Sequence, residues 1–326
     1  MRQVVLLEPG RFARRDVEAP RPAPGEALVR VRRIGVCGTD LHAYAGRQPF
    51  FTYPRVLGHE LAVTVEEAPA GDTRVKAGDV CAIRPFINDP TSRASLRGRP
   101  NCCEKLRVLG VHIDGGMGDL LAVESRFLHP VPDMDLDAAA LIEPLSIGCH
   151  AVGRGRPSPE DRTLVIGAGP IGLATAQFVA LAAAPLTIVD LSPARRAAAA
   201  AVVRGAEVVD AVDPAARFDC VFDATGNAAS MSHAFDYVAS GGRLVFVGLT
   251  LEPITVNDVE LHRRELTLLA SRNATPADFE RVIAAVRGGH IDPLTWVTHR
   301  LALDEIVERF DHVRADPNLI KAIVTL

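Results

Sequence analysis

The pattern of apolar positions divides the chain into regions of different predicted structure. Up to about Pro132 the sequence has short apolar runs broken by Gly and Pro, among them QVVLL, ALVRVRRIGV, LAVTV, DVCAI and DLLAV. Runs of this spacing predict a mainly β region with irregular loops. A helical stretch that carries EPLSIGCHAV is then predicted from about Asp137 to Val152.

Beyond this helix, short β-type runs alternate with Ala-rich segments of helical length. The runs are TLVIGAG, LTIVD, AEVVD, CVFDATG and RLVFVGL. This alternation predicts a parallel, doubly wound sheet. The chain between VVDA and FDCVFD is short, so we expect one crossover to lack its helix. After Ala270, helices are predicted near Ala277–Arg287 and Asp304–Val313, and the run LIKAIVTL predicts a final strand.

A glycine-rich turn follows the run TLVI and opens an apolar helical segment. Gly167 permits the tight turn, Gly169 lets the backbone approach a pyrophosphate, and Gly172 lets helix and strand pack closely. Pro170 and Ile171 lie at the helix N-terminus, whose amides would meet the phosphates. The sequence therefore predicts a dinucleotide site at this turn.

The residues after the next predicted strand bear on the choice of cofactor. Asp190 ends that strand, where a carboxylate would accept hydrogen bonds from the ribose hydroxyls and repel a 2′-phosphate. NAD is therefore favoured over NADP. Arg195 and Arg196 follow, and either could reach a 2′-phosphate, although a solvated helix face is the plainer explanation for both. Thr225, in the sequence DATG, is a further candidate for cofactor binding.

Composition and charge limit the classes of binding partner that are expected. The 326 residues include 36 Lys and Arg against 40 Asp and Glu, for a net charge of -4 without a block of like charge. We expect neither a nucleic-acid nor a membrane partner, but a small-molecule substrate. The N-terminus meets Glu8 and Pro9 too early for a secretory apolar region, so a cytoplasmic location is expected. The six cysteines are scattered, which favours reduced thiols over disulfides.

Candidate metal ligands lie in three motifs, GVCGTDLH, GHE and EPL. These motifs supply Cys37, His59, Glu60 and Glu143. Thiolate, imidazole and carboxylate are the ligands expected of zinc with an open fourth position. Such a zinc would bind the oxygen of an alcohol, so that hydride can leave the carbon.

The first motif also contains a candidate proton relay. Thr39 is two residues after Cys37, and His42, which titrates near neutrality, could pass the alcohol proton to solvent. Glu60 joins Thr39 and His42 as a candidate catalytic residue. Each residue alone is more often structural, but together with a nucleotide fold they indicate a dehydrogenase.

These motifs, with the helix EPLSIGCHA, the turn VIGAGPIG and the terminal KAIVTL, resemble the zinc-dependent medium-chain alcohol dehydrogenase superfamily over essentially the whole chain. The resemblance implies an α/β protein with a GroES-like, mainly β catalytic domain at residues 1–140 and 272–326. A Rossmann domain with a doubly wound parallel sheet would occupy residues 141–271. It also implies a homo-oligomer, either a dimer or a tetramer.

Within the superfamily, Glu60 and Glu143 resemble the polyol and threonine dehydrogenases more than the ethanol dehydrogenases. That branch implies one catalytic zinc on Cys37, His59 and one of the two glutamates, with Glu143 our candidate for the exchangeable ligand. Relatives often carry a second, structural zinc on four cysteines. Here the first three positions are interpreted as Asp89, Ser92 and Ser95, with Cys103 as the fourth, so we expect no structural zinc.

The substrate is less closely defined by the sequence. The segments LASRNATPADFE and GRQPFFTYPR resemble members thought to act on aldonic acids such as galactonate or gulonate, and Arg47 and Arg272 are candidates to bind the carboxylate. Surface or cofactor-phosphate contacts explain these arginines equally well. Neutral polyols, threonine and a catalytically silent nucleotide-binding member remain alternatives. A zinc-free NADPH quinone reductase should lack Cys37, His59 and Glu143 together, and all three are present.

Overall fold

The computed structural model describes residues 1–48 and 51–326. It has strands β1 Arg2–Glu8, β2 Arg11–Asp16, β3 Glu26–Val36, β4 Glu60–Glu67, β5 Val80–Ile83, β6 Phe86–Ile87, β7 Arg107–Val108, β8 Leu120–Glu124, β9 Leu128–Pro130, β10 Thr163–Ile166, β11 Leu186–Val189, β12 Glu207–Val209, β13 Phe218–Asp223, β14 Val238–Phe246, β15 Thr267–Ala270, β16 Val297–Ala302 and β17 Lys321–Thr325.

The α-helices are α1 Gly38–Tyr44, α2 Arg93–Leu96, α3 Leu136–Ala140, α4 Ile142–Gly155, α5 Pro170–Leu181, α6 Pro193–Val202, α7 Ala228–His233, α8 Asp258–Arg263, α9 Pro276–Arg287 and α10 Ile306–Ala315. Short 3-10 helices cover Pro100–Cys102, Ser125–Phe127, Ala234–Tyr237, Pro293–Trp296 and Leu303–Glu305. Among the described residues, no helix has the length and apolar character needed to cross a membrane.

The chain forms two compact units, one of Met1–Glu143 with Thr275–Leu326 and one of Pro144–Ala274. In the first unit a seven-stranded sheet has the order β16-β17-β3-β4-β5-β9, with β8 also paired to β3. Its core is built from the alternating apolar positions of these strands, such as Ala27, Val29 and Val31 of β3, which are all buried. The early apolar runs are therefore strands, as the sequence predicted.

The second unit is a six-stranded, entirely parallel sheet in the order β12-β11-β10-β13-β14-β15. This is the strand order of a Rossmann fold, so the predicted doubly wound sheet is confirmed. The helix α5 is buried from Gly172 to Val179, in keeping with its continuous apolar sequence. The crossover from β12 to β13 contains no helix in the described residues 210–217, also as predicted.

One element differs from the sequence prediction. The single helix expected from Asp137 to Val152 is two helices, α3 and α4, and they meet at Leu141. Pro144 explains the break, because proline has no N–H to donate to the carbonyl four residues earlier.

Candidate active site

Cys37 lies at the junction of β3 and α1, at the N-terminal end of the helix. Its backbone N–H donates to Oδ2 of Asp40 at 2.9 Å, and the Asp40 side chain is fully buried. This contact fixes the turn that carries the thiol. Because β4 and β17 both run antiparallel to β3, the first residues of each lie beside Cys37.

The beginning of β4 brings His59 and Glu60 to the thiol, since Glu60 pairs in register with Gly35 of β3. The candidate ligand atoms of Cys37, His59 and Glu60 all lie within 4.8 Å of one another. His59 is 5% exposed and Glu60 is 0% exposed. The structure thus gathers three of the residues proposed from the sequence as metal ligands into one buried group.

Glu143 belongs to the same environment, in the first turn of α4. Burial, reinforced by Glu60 and Cys37, raises the pKa of Glu143 to about 8. Burial, again with Glu60, raises the pKa of the Cys37 thiol to about 12. We call Cys37, His59, Glu60 and Glu143 the ligand cluster. Without a metal ion, the Cys37 thiol and the Glu143 carboxyl are held in their neutral forms at pH 7.

Lys321 lies against the ligand cluster and was not identified from the sequence. Its Nζ donates to Oε1 and Oε2 of Glu60 at 2.7 and 2.8 Å, and to the Val36 carbonyl at 3.1 Å. Burial alone would lower the pKa of Lys321, but Glu60 and Cys37 raise it above its usual value. The sequence contains one signal for this residue, a single lysine within the apolar run LIKAIVTL. A lysine in a buried strand indicates an acidic partner, since Lys is almost never fully buried unless paired.

The ion pair has a steric requirement at Gly35. A Cβ at this position would lie 2.0 Å from Oε2 of Glu60, so any larger residue would push the carboxylate away from Lys321. Gly35 therefore belongs to the site, although it has no chemistry of its own.

Two polar atoms, one in the ligand cluster and one beside it, are left without partners. Nδ1 of His59 and Oδ1 of Asp40 face each other at 3.8 Å, and both are buried with no hydrogen-bond partner among the described residues. Burial also raises the pKa of Asp40. Unpartnered buried polar atoms are costly, and a carboxylate beside imidazole is the usual way to orient a metal-binding histidine.

The candidate relay residues lie on α1, three positions apart, which places Thr39 and His42 on one helix face. Burial, together with Arg47, lowers the pKa of His42, whose ring is nevertheless partly open to solvent. Arg47 is exposed in the first unit, and Arg272 is exposed in the second. Within the predicted segment GRQPFFTYPR, Pro49 and Phe50 lie outside the described residues.

The glycine-rich turn in the second unit is tight at Gly167 and closely packed at Gly172, as expected for these two positions. Gly167 has a φ of 93°, and a Cβ on Gly172 would lie 1.7 Å from the Gly167 carbonyl oxygen. Gly169 is the N-cap of α5, and Pro170 and Ile171 form its first turn. The turn is therefore packed too tightly for side chains at Gly167 and Gly172.

The Asp190 carboxylate is fixed beside this turn. It accepts hydrogen bonds from the N–H groups of Ala168 at 2.7 Å and Ser192 at 2.8 Å. The Arg195 guanidinium is 3.8 Å from the carboxylate, whereas Arg196 donates to the Asp190 carbonyl at 2.9 Å. Thr225 is exposed, and its N–H and Oγ1 both donate to Asp223.

The four positions interpreted as the remnant of a second zinc site also lie together, joined by hydrogen bonds. Oγ of Ser95 is 2.9 Å from Oγ of Ser92 and accepts from Nδ2 of Asn88 at 3.0 Å. The Asp89 N–H donates to Sγ of Cys103 at 3.3 Å. Residues 88–106 are called the lobe below.

Comparison with known proteins identifies the family. Residues 23–133 match the family model of the alcohol dehydrogenase GroES-like domain, and residues 170–287 match that of zinc-binding dehydrogenases. The chain is 37% identical over 340 residues to L-galactonate-5-dehydrogenase of Escherichia coli, covering 100% of this chain and 99% of that protein.

Solved structures agree with these matches. An alcohol dehydrogenase from E. coli complexed with NADH superposes with a TM-score of 0.93 at 26% identity, covering 100% of this chain and 99% of that one. A zinc-binding dehydrogenase from Sinorhizobium meliloti bound to NADP gives a TM-score of 0.90 at 27% identity, with the same coverage. The chain belongs to the zinc-binding alcohol dehydrogenase family of the medium-chain dehydrogenase superfamily.

Proposed function

We propose that the protein is a zinc-dependent, NAD-linked dehydrogenase that oxidises a secondary alcohol of a sugar acid or a polyol. The observation that carries this proposal is the buried ligand cluster, in which a thiol, an imidazole and a carboxylate lie within 4.8 Å of one another. Three protein ligands of these types, with a position left open, are characteristic of catalytic zinc.

The residues present fit a divalent cation. Cys37 and His59 would hold it together with Glu60 or Glu143, and Asp40 would orient the His59 ring through its unpartnered oxygen. A zinc ion bound there would polarise the alcohol oxygen and favour loss of its proton. The raised pKa values of Cys37 and Glu143 support this assignment, because a cation would stabilise the charged forms that burial disfavours.

Thr39 and His42 would carry the proton away. Thr39 lies two residues from Cys37, and His42 follows it on the same face of α1 at the surface. Since burial and Arg47 lower the pKa of His42, its ring is neutral at pH 7 and can accept a proton and release it to solvent.

The second unit would bind the dinucleotide at the turn Gly167–Gly172, and NAD would accept the hydride. Asp190 supports NAD, since a fixed carboxylate suits ribose hydroxyls and repels a 2′-phosphate. The pairing of Arg195 with Asp190 supports the same choice, because the arginine already has an acidic partner.

The similarity to L-galactonate-5-dehydrogenase supports a sugar acid as the substrate. Such a molecule carries a carboxylate, and we propose that Arg47 or Arg272 binds it. Sorbitol and other neutral polyols would lack this contact.

The test combines elemental analysis of zinc with NAD reduction by L-galactonate, L-gulonate, sorbitol and threonine. We expect about one zinc per chain, faster turnover with NAD than with NADP, and the highest kcat/KM for an aldonate. Arg47→Gln or Arg272→Gln should raise KM for the aldonate and leave the KM for sorbitol unchanged. Preferred oxidation of threonine would contradict the substrate class. Zinc and cofactor binding without turnover of any alcohol would contradict the enzyme assignment.

A further inference from the structure

The second unit contains an open cleft whose volume is about 360 Å³. It is lined by Gly153, Arg154, Gly155, Arg156, Arg243 and Leu269. Arg243 pairs in register with Cys220, which in turn pairs with Thr163 at the beginning of β10. The dinucleotide turn follows the other end of β10. The Arg243 end of the cleft therefore lies at the edge of the sheet opposite the dinucleotide turn.

The cleft has more positive than negative charge. Arg243 is paired with Asp161, with Nη2 and Oδ2 2.5 Å apart. Arg154 gives its Nε to the Ala270 carbonyl at 3.2 Å, so its charge is not balanced by that contact. Neither Arg154 nor Arg156 has a carboxylate within salt-bridge distance among the residues that the structure describes. Two guanidinium charges thus remain uncompensated at one opening.

Arg156 has a left-handed backbone conformation directly after α4. The helix α4 ends at Gly155, and the Arg156 N–H donates to the Val152 carbonyl at 2.7 Å with φ at 49°. Glycine is the residue that normally takes this left-handed position after a helix, because a Cβ is strained there. An arginine at this point keeps a cation at the cleft despite the less favourable backbone.

The hydrogen bond of Arg154 does not go to the last carbonyls of its own helix. Cations near a helix C-terminus often bind its last carbonyls. Arg154 instead reaches across to β15, where Ala270 is located. The side chain is therefore fixed at the wall of the cleft, and its remaining N–H groups are available to a ligand.

We propose that this cleft binds a phosphate group, either free or on a small phosphate ester. Guanidinium groups bind oxyanions through paired hydrogen bonds, and two uncompensated arginines match a dianion at neutral pH. The cleft is within the size range of small-molecule sites. Inorganic phosphate and a sugar phosphate share this chemistry, and they differ in whether the organic part adds contacts.

The experiment measures inorganic phosphate binding by calorimetry at constant ionic strength, with Arg156→Gly, Arg154→Gln and the control Arg204→Gln. Arg204 is an exposed arginine of the same unit. We expect each cleft variant to weaken phosphate binding about tenfold, the loss of a charged hydrogen bond, and the control to leave it unchanged. Arg156→Gly should also raise the Tm without phosphate, since it relieves the strained backbone. This opposite change separates a binding role from a structural one.

The proposal is overturned if the protein does not bind millimolar phosphate, or if both cleft variants bind as tightly as the wild type. Displacement of phosphate by NADH would also overturn it, because the phosphate would then occupy the dinucleotide turn. Tighter binding of glucose 6-phosphate than of phosphate would support the proposal and identify an ester as the ligand. Equal affinity would support it with free phosphate as the ligand.

Discussion

The ligand cluster and the lobe are two regions of the first unit that differ in how their polar groups are satisfied. In the ligand cluster, Nδ1 of His59 is buried without a partner, as is Oδ1 of the adjacent Asp40, and burial raises the pKa of both Cys37 and Glu143. In the lobe, Ser92 and Ser95 satisfy each other, and the Asp89 N–H donates to the Cys103 thiol.

The difference teaches that a metal site is recognised by what the protein leaves unsatisfied as much as by its ligand types. In the ligand cluster Lys321 is paired with Glu60, whereas burial keeps Cys37 and Glu143 protonated, so a divalent cation would stabilise the charged forms that burial disfavours. The lobe has no such deficit, because short polar side chains and a network of hydrogen bonds hold it together. We therefore expect metal dependence in the first region and none in the second.

The largest expected difference between the two regions follows from replacing one cysteine in each. Cys37→Ser should abolish zinc binding and lower kcat/KM about 10³-fold, since the Lewis acid supplies several kcal/mol to the reaction. The matched control Cys103→Ser should retain the zinc and the activity. Zinc content and initial rates measure both, and NADH binding should be unchanged in each variant. Retention of zinc by Cys37→Ser would exclude the ligand cluster as the metal site.

A second test removes Lys321, the cation that is paired with Glu60 in the zinc-free protein. Lys321→Met leaves both Glu60 oxygens without their ammonium partner, which should destabilise the zinc-free protein by about 3–5 kcal/mol. Urea unfolding of zinc-free samples measures this loss. The double variant Lys321→Met with Glu60→Gln should recover part of it, because no uncompensated charge remains. A single variant within about 1 kcal/mol of the wild type would show that the ion pair is not needed.

The protonation of the ligand cluster should appear in the pH dependence of zinc binding. Cys37, with a pKa of about 12, and Glu143, with a pKa of about 8, are both protonated at pH 7 without metal. If both bind zinc, binding releases about two protons below pH 8 and about one above it, so affinity rises with pH. Calorimetry in buffers of different ionisation enthalpy counts these protons.

The variant Glu143→Gln distinguishes the two glutamates. It should release about one proton at every pH between 6 and 9 if Glu143 is the ligand. Proton release identical to that of the wild type would assign the third position to Glu60 instead.

The same raised pKa predicts how zinc-free stability changes with pH. The Glu143 pKa lies above its usual value of 4.5, so the folded state holds a proton that the unfolded state has lost. The contribution of this group is full below pH 4.5 and is lost as the pH rises to about 8. Bound zinc should reverse the trend, because it requires the carboxylate.

Local sequence patterns predicted much of this molecule. The alternating runs predicted the strands of both units, and the spacing of the glycines predicted a turn in which Gly167 and Gly172 leave no room for larger side chains. The motifs around Cys37 and His59 predicted a group of ligands that the structure places within 4.8 Å. In each case the information lies within a few neighbouring residues.

What could not be predicted depends on contacts between distant parts of the chain. Lys321 and Glu60 are 261 positions apart, and they meet because β17 and β4 both pair with β3. The strand β15 was not among the predicted runs. It has only four residues, three of them exposed, and therefore shows no clear apolar alternation. The break between α3 and α4 depends on Pro144, a signal that was present but was outweighed by the apolar pattern.

The smallest expected effect concerns the hydrogen bonds of the lobe. Ser95→Ala removes the contacts of Oγ with Asn88 and Ser92 and should lower local stability by about 1 kcal/mol. Amide hydrogen exchange of residues 88–106 should then accelerate about fivefold, whereas a chelator should leave exchange in the wild-type lobe unchanged. Exchange that accelerates in the lobe of Cys37→Ser on adding chelator would reveal a second metal, since the first site is already disabled. The contrast between the regions rests on this result. If the hydrogen bonds of the lobe hold it together without a metal, its amide exchange is unchanged by the chelator and accelerated by Ser95→Ala.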